Sequence, residues 1–280
     1  MKIRLGISTC PNDTFAFHAL MERLVDWRGL SYEVELLDIQ QLNSGLRDGR
    51  FDVAKASFHA ALYLADSTLV LPSGSALGYG VGPLLLASRE NQRPWHAEQL
   101  TLCPGLETTA ALLFQLFYPQ TTRLEHVVFS EIMPMLQNGK ADFGVCIHEG
   151  RFTWQTAGLH LVEDLGTRWE AETKCPLPLG GILADRRLDN FVIQQVQSTI
   201  RDSLLMARST PHIAVPTMRK YAQELDDQVL MQHVELYVND WTVELDEVGK
   251  RSLAELNRRA KQVRLLPKDW PDLTVWHDSN

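Results

Sequence analysis

Apolar and polar residues alternate from Lys2 to Ser8, the period-two pattern of a strand with one buried face. Cys10-Pro11-Asn12-Asp13 reads as a turn. From Thr14 to Leu24 the period changes, and Phe17, Leu20, Met21 and Leu24 fall on one helical face, with Asn12 or Asp13 as the expected N-cap. Tyr32 to Leu37 reads as a second strand, Ile39 to Arg47 as a short helix stopped by Gly49, and Phe51 to Ala56 as a third strand. A β-α-β-α-β series implies parallel strands joined by right-handed crossovers.

The series returns later in the chain. Leu100 to Cys103, Leu124 to Phe129 and Ala141 to Ile147 read as strands, separated by helices from Thr108 to Phe117 and from Glu131 to Asn138. Leu46-x-x-Gly49-x-x-Asp52 recurs as Leu136-x-x-Gly139-x-x-Asp142, and Cys10-Pro11 has a counterpart in Cys103-Pro104. Chance also produces helix-Gly-strand matches of this kind, so the order of elements carries the inference more than the letters do. Two short apolar strands, Pro83 to Ser88 and Gly180 to Asp185, each follow a Gly-rich segment and read as paired crossings between two lobes. Leu188 to Arg208, Asp226 to Val238 and Asp246 to Val263 are helical by periodicity and are expected to pack on the first lobe. The expected organisation is lobe I at 1–86 and 184–280, with lobe II, 87–183, inserted.

Composition narrows the function classes. Of 280 residues 45% are hydrophobic, and 27 Lys and Arg stand against 35 Asp and Glu, a formal charge of −8 that offers no general attraction to nucleic acid or anionic lipid. The four cysteines form no C-x-x-C pair and read as reduced core residues, which points to the cytoplasm. The N-terminus reads as a strand and not as an export signal, and no apolar run is long enough to span a membrane. The C-terminal helices leave two readings open, a homodimer surface or a cover for their own lobe.

Ligands of open parallel sheets bind beyond the carboxyl ends of the strands, where helix N-termini converge. Lobe I offers Asn12 and Asp13 after its first strand, and Lys55, Ala56 and Ser57 at the end of its third; lobe II offers Thr108 and Thr109 at a helix start, and His148 followed by Glu149. An ammonium at Lys55 complements an anionic ligand, the two threonines with free backbone N–H groups suit a carboxylate, and an imidazole at His148 suits general base work near neutral pH. Each residue has a plainer alternative: N-capping for Asn12, Asp13 and the threonines, a solvated strand-edge lysine, a surface-turn histidine. His18, His126 and His233 lie within expected elements and read as packing or surface residues, and His59 lies near the same edge. H-E-x-x-H, Walker A and G-x-S-x-G motifs are absent, and Gly78-x-Gly80-x-Gly82 lacks a strand-to-helix context. A cofactor-free enzyme or a binding protein remains.

Six segments carry a resemblance that covers nearly the whole chain: Ser8 to Phe15, Val53 to Ser57, Gly74 to Pro83, Glu107 to Ala110, Ile147 to Thr153 and Leu177 to Gly180. In this order they resemble the 1,4-dihydroxy-6-naphthoate synthase family of the futalosine route to menaquinone. The resemblance implies an α/β, two-lobed fold like that of type II periplasmic binding proteins, with a cleft between lobes joined by two hinge strands. It also implies a cytoplasmic enzyme that converts cyclic dehypoxanthinylfutalosine to 1,4-dihydroxy-6-naphthoate with no metal or other cofactor. By motif, His148 matches the catalytic base, Lys55 to Ser57 a substrate-binding stretch, and Thr108-Thr109 the pair that holds a substrate carboxylate or hydroxyl; Asn12 and Asp13 belong to the shared motif. The rival readings are the chorismate dehydratase of the same route, which shares the architecture, and a solute-binding protein without catalysis.

Overall fold

The N-terminal alternation forms β1 (Lys2–Ser8), the first element of a computed structural model that describes residues 1–147, 150–222 and 226–278. The chain divides into two compact units: Met1–Gly78 with Pro178–Ala254 and Asp269–Asn280, and Tyr79–Leu177 with Glu255–Lys268. In the first, β1 leads to α1 (Pro11–Ala16), α2 (His18–Met21), β2 (Ser31–Leu37), α3 (Ile39–Arg47), β3 (Val53–Ser57), α4 (Phe58–Tyr63), β4 (Thr68–Val70) and β5 (Ala76–Gly78). The second supplies β6 (Leu84–Ala87), β7 (Leu100–Pro104), α5 (Thr109–Phe117), β8 (Arg123–Val127), α6 (Phe129–Gln137), β9 (Phe143–Cys146), α7 (Gly150–Thr153), β10 (His160–Asp164) and α8 (Leu165–Thr173). The chain returns through β11 (Leu177–Asp185) to α9 (Asn190–Ser209), a 3₁₀ turn at Pro211–Ala214, α10 (Val215–Tyr221), α11 (Asp227–Tyr237), α12 (Asp240–Val243) and α13 (Glu247–Gln262). Among the described residues no helix is long and apolar enough to cross a membrane.

The first sheet has the order β2-β1-β3-β11-β4, with β5 also on β11; the second has the order β10-β6-β9-β7-β8. β1 runs parallel to β2 and β3, and β11 joins β3 antiparallel; in the same way β7 runs parallel to β8 and β9, and β6 joins β9 antiparallel. The recurring letters have a structural meaning. Gly49 and Gly139 both take the left-handed backbone, at φ +69° and +63°, that ends a helix cheaply only at glycine. Three residues on, the Asp52 carboxylate accepts from the Arg4 backbone N–H at 2.8 Å, and that of Asp142 from Leu100 N–H at 2.9 Å. The same carboxylate thus starts the same strand pairing in each unit.

The first unit's core joins Ile3, Leu5, Ile7 and Val53 of the sheet to Ile193, Val196, Ile200 and Leu204, the apolar stripe of α9. The second unit's core gathers Leu84, Leu86, Leu102, Ile132, Leu136 and Cys146. Two local expectations change. The first helix starts at Pro11 and breaks at Phe17, so Asn12 and Asp13 lie inside its first turn and cap nothing, while Leu24 is exposed. Proline at the opening position is favourable because its missing N–H would have had no helical partner there. The compact units change over at Gly78/Tyr79, ahead of β6, which is hydrogen-bonded on both edges within the second sheet, and at Leu177/Pro178, where β11 joins β3 and β4 of the first. The end of α13 is counted with the second unit rather than the first, since Arg259 pairs with Glu172 at 2.6 Å and lies over the Trp169 ring.

His18 is buried in α2, with Nδ1 2.8 Å from Thr217 Oγ1. Burial holds its pKa below the ordinary 6.5, against a smaller upward pull from Glu22. On acidification the unfolded chain takes up this proton before the folded chain does. Stability therefore falls as pH drops through about 6.5 and levels off below the folded-state value. We expect the melting temperature to fall between about pH 8 and about pH 5, and His18→Gln to make that fall shallower. An unchanged slope in the variant would remove His18 from the account. His126, lowered mainly by burial while a hydrogen bond with the Gly105 backbone raises it, adds a slope of the same sign.

Candidate functional site

In the first unit the carboxyl ends of β1 and β3 meet in a buried polar knot. Lys55 stands on β3 between two alanines that are fully buried, and its ammonium donates to Asp13 Oδ1 at 2.7 Å and to the Gly74 carbonyl at 3.0 Å. The Lys55 and Asp13 side chains retain only 6% and 5% exposure, so this ion pair is shielded from solvent. Asp13 Oδ2 accepts from Ser8 Oγ at 2.5 Å, and Oδ1 also accepts from Asn12 Nδ2 at 3.0 Å. An ammonium has three N–H donors, and among the described residues Lys55 uses two of them. One charged donor is left for a ligand oxygen.

Ser57 closes the strand and opens the next helix. Its Oγ accepts from Ala60 N–H at 3.1 Å as the N-cap of α4, and its own N–H donates to Asn43 Oδ1 at 3.1 Å. Ala56 contributes its backbone. Gly180 of β11, the register partner of Ser57, comes so close that a Cβ there would lie 2.6 Å from the Ala56 carbonyl oxygen and 3.5 Å from Lys55 Cε. Glycine at that position lets the strands pair while leaving room beside the lysine stem. Ser75, next to Gly74, is fully buried, and its hydroxyl has no hydrogen-bond partner among the described residues.

In the second unit Thr108 is the N-cap of α5, its Oγ1 accepting from Ala111 N–H at 3.2 Å and donating to the Gly105 carbonyl at 3.3 Å. Thr109 begins the helix and, like Thr108, is largely buried. The sequence reading of this pair as a helix start is therefore met, with capping and ligand binding open to the same residues. His148 and Glu149 lie outside the described residues. In α7, Arg151 donates to the carbonyls of Gly82 and Gly80 and pairs with Asp164 at 3.0 Å. Cys103 and Cys146 are buried thiols; burial pushes Cys146 up to about 12 and Cys103 higher in the same direction, so both stay protonated.

A family model described as menaquinone biosynthesis matches residues 3–262. The 1,4-dihydroxy-6-naphthoate synthase of Thermus thermophilus is 40% identical over 260 residues, covering 92% of this chain and 94% of that protein. That of Streptomyces coelicolor is 37% identical over 275 residues, covering 96% of each. The chain belongs to this menaquinone-biosynthesis family. It is an enzyme of that pathway. Among solved structures, a protein of Archaeoglobus fulgidus superposes with a TM-score of 0.87 at 30% identity, over 95% of this chain and 98% of that one. The alkanesulfonate-binding protein of Xanthomonas axonopodis pv. citri superposes at 0.70 with 14% identity, over 99% and 98%, a likeness of fold alone. The fold is that of the periplasmic binding proteins, as the resemblance implies.

Of the residues singled out from the sequence of this family member, Asn12, Asp13, Lys55, Ala56 and Ser57 come together in the first unit, while Thr108 and Thr109 belong to the second. Three contributors escape sequence reasoning. Ser8 is the last residue of a strand, and only the fold turns its hydroxyl onto Asp13. Arg151 sits within a shared segment but its partners lie 69 to 71 and 13 residues away. His233, which reads as a packing or surface residue, reaches Asn12 from 221 residues along the chain.

Proposed function

We propose that this enzyme converts cyclic dehypoxanthinylfutalosine to 1,4-dihydroxy-6-naphthoate by cofactor-independent carbon–carbon cleavage in the cytoplasm. The observation that carries the reading is the near full-length identity with two synthases of that name, 40% and 37%. The chemistry fits the residues. Formation of the aromatic product supplies much of the driving force, so the protein has to take one proton and hold the reacting centre in line. His148 is assigned the proton. Thr108 and Thr109 are assigned the substrate carboxylate, where a helix N-terminus adds favourable partial charge.

Lys55 and Ser57 are assigned oxygens of the spirocyclic sugar portion. The uncommitted N–H of Lys55, in a setting shielded from water, supports this, because a charge-assisted hydrogen bond is stronger there than at the surface. Four free cysteines, three of them buried, suit a reducing compartment.

The test is incubation of the purified chain with cyclic dehypoxanthinylfutalosine, without added cofactor, followed by mass-resolved chromatography. The expected result is 1,4-dihydroxy-6-naphthoate together with a small sugar-derived fragment. Binding of the substrate without turnover would replace the enzyme with a carboxylate-binding protein, and turnover of chorismate instead would move it to the dehydratase of the same route.

A further inference from the structure

We propose that His233 is a positioning residue of the first-unit site, acting through Asn12 and Asp13 on the Lys55 ammonium; this rests on the function proposed above. The argument begins with α11. Its Leu230 and Val234, one turn apart, are buried with Phe15, Ala207, Ala214 and Met218, so the helix is docked against α1, which carries both Phe15 and Asn12. Between them in sequence, His233 is held against Tyr237 with ring centroids 4.6 Å apart, and its Nε2 lies 3.2 Å from Asn12 Oδ1.

Hydrogen-bond chemistry fixes the direction of this contact. Asp13 Oδ1 already accepts from Lys55 Nζ at 2.7 Å, and a carboxylate oxygen in that role offers no proton. The Asn12 group facing it at 3.0 Å must therefore be the amide nitrogen, which turns Asn12 Oδ1 toward the imidazole. An amide oxygen only accepts, so His233 Nε2 carries the hydrogen and donates it. The result is one connected set. His233 holds the Asn12 amide, Asn12 completes the acceptor environment of Asp13, and Asp13 with Gly74 fixes two of the three Lys55 donors, leaving the third in a set direction. With an apolar residue at 233 the Asn12 amide loses its outer anchor and is free to turn away from Asp13. Nothing in the sequence links these residues, and the relation emerges only from the docking of α11 on α1.

The experiment compares His233→Leu, His233→Gln, Asn12→Ala and the double variant Asn12→Ala/His233→Leu with the parent, in turnover of cyclic dehypoxanthinylfutalosine and in thermal unfolding. Glutamine places an amide N–H near the position of Nε2 and serves as the conservative rescue. We expect His233→Leu to lower kcat/KM about tenfold with little change in melting temperature, and His233→Gln to stay within about threefold of the parent. The double variant should lose no more than Asn12→Ala alone, because both changes cut the same link. Parental activity in His233→Leu, an equal loss in the leucine and glutamine variants, or losses that multiply in the double variant would each overturn the proposal while leaving the function standing. A parent that does not convert the substrate would sink the functional reading, and this proposal with it.

Discussion

A His148→Ala variant is expected to fold as the parent does and to lose about 10²–10⁴-fold in kcat, the usual contribution of a positioned general base. The elements on either side hold themselves. β9 ends at Cys146 with all four of its residues buried, and Arg151 ties α7 to Gly80, Gly82 and Asp164 through its own hydrogen bonds. With both flanks held in this way, the near-ultraviolet circular dichroism and melting temperature should match the parent. Product formation, followed by chromatography under saturating substrate, is the measurement. Equal turnover in both proteins would keep the reaction and remove His148 from it; a variant that fails to fold would assign His148 a structural role instead. His148→Gln separates proton transfer from hydrogen bonding, since glutamine keeps a donor and an acceptor but takes no proton near neutral pH. It should be as inactive as alanine.

What could be read from the sequence follows the range of the interactions. Strands β1, β2, β7 and β9 and helices α3 and α5 were legible because each depends on periodicity and caps within a few residues; Thr108 as a helix start is one such case. The Asp52 and Asp142 match was legible as letters. Its meaning, a carboxylate on the backbone N–H one residue ahead of the parallel pairing, needed the parallel register. Asn12 and Asp13 show the opposite outcome. Next to a turn they look like caps; the preference of proline for the opening position hints that Pro11 starts the helix, but nothing local shows that both side chains then turn to Lys55, Ser8 and His233. Lys55 was identifiable as a lysine at a strand end. Its burial was not, because burial is decided by Asp13, Gly74 and Gly180, which arrive from 42, 19 and 125 residues away.

That burial sets the second large effect. Removing one member of the Asp13–Lys55 pair is expected to cost about 3–5 kcal/mol in urea unfolding, because the partner stays behind as a shielded, unpaired charge. Among the described residues, Lys55→Met leaves the Asp13 carboxylate with Ser8 and Asn12, and Asp13→Leu leaves the ammonium with the Gly74 carbonyl. The double variant Asp13→Leu/Lys55→Met removes both charges at similar volume and should be more stable than either single variant. It should still fall short of the parent, by about 1–3 kcal/mol, because Ser8 Oγ and Asn12 Nδ2 lose their acceptor. Turnover should follow a different course, staying low in Lys55→Met and in the double variant alike, since restoring stability does not restore the third N–H. A double variant whose destabilisation equals the sum of the singles would remove the unpaired-charge account. One that recovered both stability and turnover would show Lys55 to be a structural lysine, and the substrate oxygens assigned to it would need another donor. The two measurements on four proteins thus separate what the buried pair does for the fold from what its uncommitted donor does for the reaction.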